Sequence, residues 1–117
     1  MADLGLKLNI EPIRALLFSS ITGTYFKISS VPTLNAARLV CFTNLTNSNL
    51  FISINGTDDQ LIVPSNGFKL LDIMTNHFPV DGSPMQLPAQ TTFWVRTATG
   101  STNPTSGLIF AEVYWGD

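Results

Sequence analysis

The stretch from Arg38 to Ile73 constrains the fold most, because its apolar residues recur with a period of two. It reads RLVCFTN, LTNS, NLFISI, NGTDDQ, LIV, PSN and GFKLLDI in succession. Leu50, Ile52 and Ile54 fall on one side and Phe51, Ser53 and Asn55 on the other, which is the spacing of a strand. A helix would scatter the same residues around its axis. Asn55-Gly56 follows directly and supplies the positive φ angles that a tight hairpin turn needs. Pro64, Ser65, Asn66 and Gly67 break the chain again. The pattern therefore predicts two strands, a tight turn and two more strands, arranged as an antiparallel meander.

The flanking segments extend this reading. Met1 to Pro12 carries a weak apolar pattern at Leu4, Leu6, Leu8 and Ile10, fitting an edge strand or an arm that orders on contact with a neighbour. IRALLFS, Ile13 to Ser19, reads as a strand because Ser19, Ser20, Thr22, Thr24 and Tyr25 surround it. ITGTYFKI, Ile21 to Ile28, reads as another, with Gly23 marking a bend or bulge. Ser29 to Ala37 is a loop around Pro32 and Asn35. Met74 to Gln90 holds Pro79, Pro84, Pro88 and Gly82, which makes it a long surface connection of the kind that usually forms contacts. TTFWVRT, Thr91 to Thr97, is a strand with Phe93 and Val95 opposite Trp94 and Arg96. After a loop from Ala98 to Ser106, GLIFAEVYW is apolar on both sides: Ile109, Ala111, Val113 and Trp115 on one, Leu108, Phe110 and Tyr114 on the other, with Glu112 the one interruption. About eight short strands result, the count of an all-β antiparallel β-sandwich of jelly-roll-like type. Residues 13–117 form its single domain, and residues 1–12 its arm or edge strand.

Composition bounds the class of partner. A chain of 117 residues holds one core. Charged residues are only 12%, about half the usual share for a soluble domain. Val40 and Phe42 oppose Leu39 and Cys41, Phe51 opposes Ile52, and Leu71 and Ile73 oppose Phe68 and Leu70. A two-layer sandwich has one inner face per sheet, so the second apolar face must be covered by loops, arms or another subunit. A homo-oligomer, dimer or trimer, is expected. The formal charge of −2 and six scattered basic residues argue against a nucleic-acid partner. The lone Cys41 cannot form an internal disulfide and fits a small packed thiol in a reducing cytoplasm. No apolar run approaches the roughly twenty residues of a membrane span, and the start MADLGLKLNIEP has no basic segment followed by a hydrophobic one. Asn44-Leu45-Thr46 and Asn55-Gly56-Thr57 match the glycosylation pattern but read as turns.

Candidate chemistry is sparse. His77, the only histidine, lies beside Phe78 and Pro79 and reads as a loop residue packing on an aromatic rather than a base. Asp58 and Asp59 read as turn residues, since the spaced ligand set of a calcium loop is missing. Asp72 and Asp81 are isolated, and neither a G-x-S-x-G setting nor a phosphate loop is present. No catalytic residue, metal or cofactor is expected. Tyr25, Trp94, Tyr114 and Trp115 fit core or interface anchors, or alternatively the sugar-stacking residues of a lectin-like module. Rigid sandwiches carry binding groups on their loops, so the expected partner contacts are His77, Phe78, Met85 and Leu87 in the long loop with Leu4 and Leu6 in the arm. The competing reading is that these loop side chains cap the sandwich's own open end.

Three segments carry a resemblance: PIRALLFSSITGTYFKI, ARLVCFTNLTNSNLFISINGTDDQLIVPSNGFKLLDIMTN and the closing SGLIFAEVYWGD. An Arg-led strand, N-x-T, a strand ending in an N/D-G turn, an apolar strand leading to LLD and a final aromatic strand together resemble small all-β virion structural proteins of tailed bacteriophages. The resemblance covers most of the chain. It implies a non-enzymatic capsid cement or decoration subunit, sitting as a dimer or trimer between capsomers of the major capsid protein, in a virion assembled in the host cytoplasm. A neck, tail or fibre-attachment protein fits the same residues.

Overall fold

The computed structural model describes residues 8–72 and 87–116, and in them nine strands form two antiparallel sheets packed face to face. The strands are β1 (Leu8–Ile10), β2 (Arg14–Leu17), β3 (Phe26–Lys27), β4 (Ala37–Asn44), β5 (Leu50–Ser53), β6 (Leu61–Val63), β7 (Phe68–Asp72), β8 (Trp94–Thr97) and β9 (Leu108–Gly116). Among the described residues the only helical element is a 3-10 turn at Phe18–Ser20. β1 pairs with the second half of β9 and β2 with its first half, so the two form one strand interrupted at Glu11-Pro12-Ile13. Pro12 cannot donate to the ladder, which accounts for the break.

Counting β1/β2 as one place leaves eight places in two four-membered sheets, ordered β1/β2–β9–β4–β7 and β3–β8–β5–β6. Four nested pairs follow: β5 with β6, β4 with β7, β3 with β8, and β1/β2 with β9. The chain is thus a long double-stranded hairpin rolled up so that successive pairs fall alternately in the two sheets, which is the jelly roll that the strand count suggested. The central meander is corrected. β4 and β7 lie in the larger sheet while β5 and β6 lie in the smaller, and only β5–β6 is a hairpin of consecutive strands.

Alternation decides the core. Val40 and Phe42 of β4, Ile109, Ala111 and Val113 of β9, Leu50 and Ile52 of β5, Val63 and Val95 all point between the sheets and are fully buried. Phe42 meets Phe93 edge to face across the layers, with centroids 5.1 Å apart and planes at 84°. Ile21 and Ile28 enter the same core, yet only Phe26–Lys27 of the expected Ile21–Ile28 strand joins a ladder. The chain bends at Gly23, and Thr22 serves instead as an acceptor for the Thr97 amide.

Two Asn-x-Thr corners share one mechanism. At Asn44 the side-chain oxygen accepts from the Thr46 amide at 2.9 Å and the Thr46 hydroxyl at 2.6 Å, while Nδ2 donates to the Ser48 and Val63 carbonyls. At Asn55 the oxygen accepts from the Thr57 amide and hydroxyl and from the Asp58 amide. Such side-chain bonds compete with a two-residue turn. The β5–β6 connection is accordingly a wider loop from Ile54 to Gln60, with Gly56 at φ +79° and Ile54 exposed beyond the strand end. Gly107, at φ +91°, lies so close to the Leu45 carbonyl that a Cβ has no room, and it brings the Leu108 carbonyl to the Leu45 amide.

A third corner is ionic. Glu11 and Arg14, both buried, pair at 2.8 Å beside the β1/β2 break. The Glu11 carboxylate also accepts from the Leu34 and Asn35 amides and from Asn35 Nδ2, while Arg14 donates to the Val31 and Pro32 carbonyls. The loop between β3 and β4 is thereby locked to the edge of the larger sheet. Burial alone would raise the Glu11 pKa, but the Arg14 hydrogen bond and the amide donors outweigh it and hold the carboxyl below its ordinary 4.5.

Two expectations follow. Asn44→Ala should lower the unfolding free energy by about 3 kcal/mol, since it leaves buried donors and acceptors unsatisfied, whereas Asn55→Ala in its exposed loop should lower it by less than about 1 kcal/mol. Denaturant unfolding of the two variants checks this; equal losses would refute the role given to Asn44. Because the folded pKa of Glu11 is depressed, its contribution is complete above the ordinary carboxylate pKa and is lost as pH falls through the folded value. Glu11→Gln should therefore destabilise by about 3 kcal/mol at neutral pH, by stranding Arg14, and flatten the acid limb of the stability profile.

Candidate functional site

The outer faces of the two sheets differ in chemistry. On the larger sheet, register aligns Ile10 with Tyr114 and Leu39, Leu17 with Leu108, Cys41 with Leu70 and Glu112, and Thr43 with Phe68 and Phe110. Ile10 is 63% exposed and Leu17 50% along one edge, and Phe68 67% and Leu70 49% along the other. Leu39, Cys41, Leu108, Phe110 and Tyr114 fill the middle, half-buried. Glu112, with Asp72 at the end of β7, brings the charge on this face. The second apolar face read from the sequence is thus one continuous surface. Cys41 belongs to it as a half-buried free thiol rather than to the core.

The expected contact residues distribute unevenly. His77, Phe78, Met85, Leu4 and Leu6 lie outside the described residues. Leu87 exchanges both backbone hydrogen bonds with Ala37, at 2.8 and 2.9 Å, and, half-buried, packs against the core. The described part of the N-terminal segment is an edge strand, β1.

On the smaller sheet the outward residues form a polar and aromatic cluster. Asp59 grips Arg96 with both carboxylate oxygens, at 2.9 Å to Nε and 2.6 Å to Nη2. The Tyr25 hydroxyl donates to the same carboxylate. The Arg96 guanidinium lies 5.5 Å from the Tyr25 ring and 4.9 Å from the Phe51 ring, between the two. Next to it, Tyr25, Phe26, Lys27, Ser30 and Trp94 line a cavity of about 300 Å³. Lys27 Nζ sits 5.3 Å from the Trp94 ring centre. A Cβ on Gly56 would come within 3.0 Å of the same indole, so the glycine backbone packs directly against it. Asp59, read from sequence as a turn residue, is the hub of this arrangement.

Electrostatics fix the protonation states. Burial, then the bond to the Asp59 carboxylate, pushes the Tyr25 phenol up to about 12, with Arg96 acting in the opposite sense. Arg96 and then Tyr25 hold the Asp59 carboxyl below its ordinary value, and Asp59 raises Arg96. None of the three is shifted toward neutral pH. Among the described residues no group of three or more His, Cys, Asp or Glu could hold a metal ion. No helix there is long and apolar enough to cross a membrane. Tyr25, Phe51, Asp59 and Arg96 come from distant segments, and only the inter-strand register brings them together; alternation at Trp94 and Arg96 was their one sequence signal.

Comparison with family models, with curated proteins and with solved structures found no match to this chain.

Spectrophotometric titration should show one tyrosine ionising near pH 12. Because the folded pKa is raised, the phenol's contribution is intact below the ordinary tyrosine range and disappears as pH climbs through the folded value. Asp59→Asn should bring that titration back toward 10.0. An unchanged titration in the variant would show that Asp59 does not hold the phenol.

Proposed function

We propose that this chain is a non-enzymatic structural subunit of a virus particle, a cement or decoration protein of a tailed-bacteriophage head that associates with itself and binds across joints between capsomers. The observation that carries the reading is the apolar outer face of the larger sheet on a jelly-roll framework. Four strand places about 4.8 Å apart and up to nine residues at about 3.4 Å each span about 500 Å² in projection. A second copy on this face would bury about 1,000 Å² in total before surface relief is counted, the lower bound of a specific interface. Cementing requires such buried area and no reaction chemistry. The jelly roll supports the reading by analogy, since viral capsid domains use it, as lectins do. A neck or tail position is the second reading, and the same face would serve it.

Quantifying the protein in purified particles tests the proposal. Copies on the order of hundreds fit the capsid lattice, and about a dozen a neck or tail ring; absence from particles would sink both. Sedimentation at micromolar concentration should show a dimer or trimer, and Phe68→Lys with Leu70→Lys should give a folded monomer, because both side chains are solvent-facing on an edge strand. A wild-type monomer would remove the self-association.

A further inference from the structure

We propose that the cavity formed by Tyr25, Phe26, Lys27, Ser30 and Trp94 is a saccharide site that takes one pyranose ring bearing a carboxylate. This does not rest on the virion reading. At about 300 Å³ the cavity is at the small end of ligand sites, the scale of a single ring rather than an extended chain. Three aromatic residues line it, together with Lys27 and Ser30, which are able to supply an ammonium and a hydroxyl. A pyranose matches this division: its C–H face lies on aromatic rings while its rim of hydroxyls needs donors and acceptors.

Charge narrows the class. Lys27 is the one charged residue lining the cavity, and the nearby Arg96 is neutralised by Asp59. A wholly apolar ligand would desolvate the ammonium without a partner, and a polyanion would meet a single cation. One carboxylate balances it.

The walls are also held in place beforehand. Tyr25 is fixed at its hydroxyl by Asp59 and on its ring by Arg96. Trp94 is backed by Gly56. An exposed ion pair such as Arg96–Asp59 contributes little to stability, so its geometric effect on Tyr25 is its more consequential one. Phe26 stays 51% exposed on a two-residue edge strand. Of the four aromatics with stacking potential in the sequence, the fold gathers Tyr25 and Trp94 here and carries Tyr114 and Trp115 away on β9 of the other sheet.

The test titrates the intact protein with methyl glucuronide and with methyl glucoside, following indole fluorescence and the Trp94 indole N–H resonance. The glucuronide should bind with a Kd on the order of 1 mM, and the glucoside several-fold more weakly. Phe26→Ala should weaken both about five- to tenfold. Lys27→Gln should erase the preference for the acidic sugar, bringing the glucuronide down to the affinity of the glucoside. Both side chains are accessible, and an unchanged unfolding midpoint confirms that each variant is folded. No perturbation by tens of millimolar of either sugar would overturn the proposal. So would binding unaffected by Phe26→Ala, perturbation confined to Tyr114 and Trp115, or preference for p-cresol, a mimic of a protein tyrosine side chain, over both sugars.

Discussion

Asn44 is the joint on which the rolled hairpin turns. It is fully buried at the end of β4, where the chain leaves the larger sheet for the smaller one. Its amide holds the corner it opens, through Thr46 and Ser48, and also the carbonyl of Val63 on β6. One side chain therefore ties the outgoing strand, its corner and the returning strand, with both donors and the acceptor oxygen used. In a low-dielectric interior a fully satisfied group of this kind specifies geometry, because every competing arrangement strands at least one polar atom. The pairing of β4 with β7 outside the β5–β6 hairpin follows from that corner. Gly107 permits the corresponding close approach of β9, whose Leu108 carbonyl accepts from the Leu45 amide.

Two ionic networks are placed away from the outer face of the larger sheet. Arg14 and Glu11 are consumed at the interrupted edge strand, where they hold the crossing loop. Arg96 and Asp59 are consumed on the smaller sheet, where they hold Tyr25. Of the six basic and eight acidic residues in all, Arg38, Lys69, Asp72 and Glu112 also lie on strands of the larger sheet. Most of its outward positions on β2, β4, β7 and β9 are filled by Leu, Phe, Cys, Thr and Tyr, with Glu112 and Asp72 among them. Isolated surface leucines are ordinary and a sheet face this rich in apolar side chains is not, which is what supports the proposal of self-association.

Local pattern made the strands legible, and nonlocal geometry hid their pairing. β4, β5, β7, β8 and β9 fall where period-two alternation put them, because side chains facing a dry core must alternate. The meander reading failed because alternation carries no information about which strand lies alongside which. Asn55-Gly56 implied a short turn, but Asn55 found acceptor work in Thr57 and Asp58 that favours a longer loop. Gly23 hid the shortening of β3 in the same way, since an extended backbone and a paired one look alike in sequence. The doubly apolar character was readable strand by strand. That one face of the larger sheet is mostly apolar, while the smaller sheet carries Arg96, Asp59 and Tyr25 beside the exposed Phe26 and Ile62, depends on a register set by residues tens of positions apart.

The same asymmetry assigns different work to the two faces. Covering the smaller sheet with a macromolecule would desolvate the Arg96–Asp59 pair and the Lys27 ammonium, and burying charges is unfavourable unless the partner supplies matched groups. Covering the larger sheet removes mostly carbon from water, with Glu112 and Asp72 the carboxylates to be accommodated. Asp72 lies at the end of β7, at the rim of the face. Glu112 sits mid-face, opposite Cys41, and two copies packed about a two-fold axis through that point would oppose their carboxylates. An axis displaced toward Phe68 and Leu70 avoids this and centres the most exposed apolar side chains. The proposed self-contact would therefore be off-centre, along β7 and β4, with Glu112 toward its boundary.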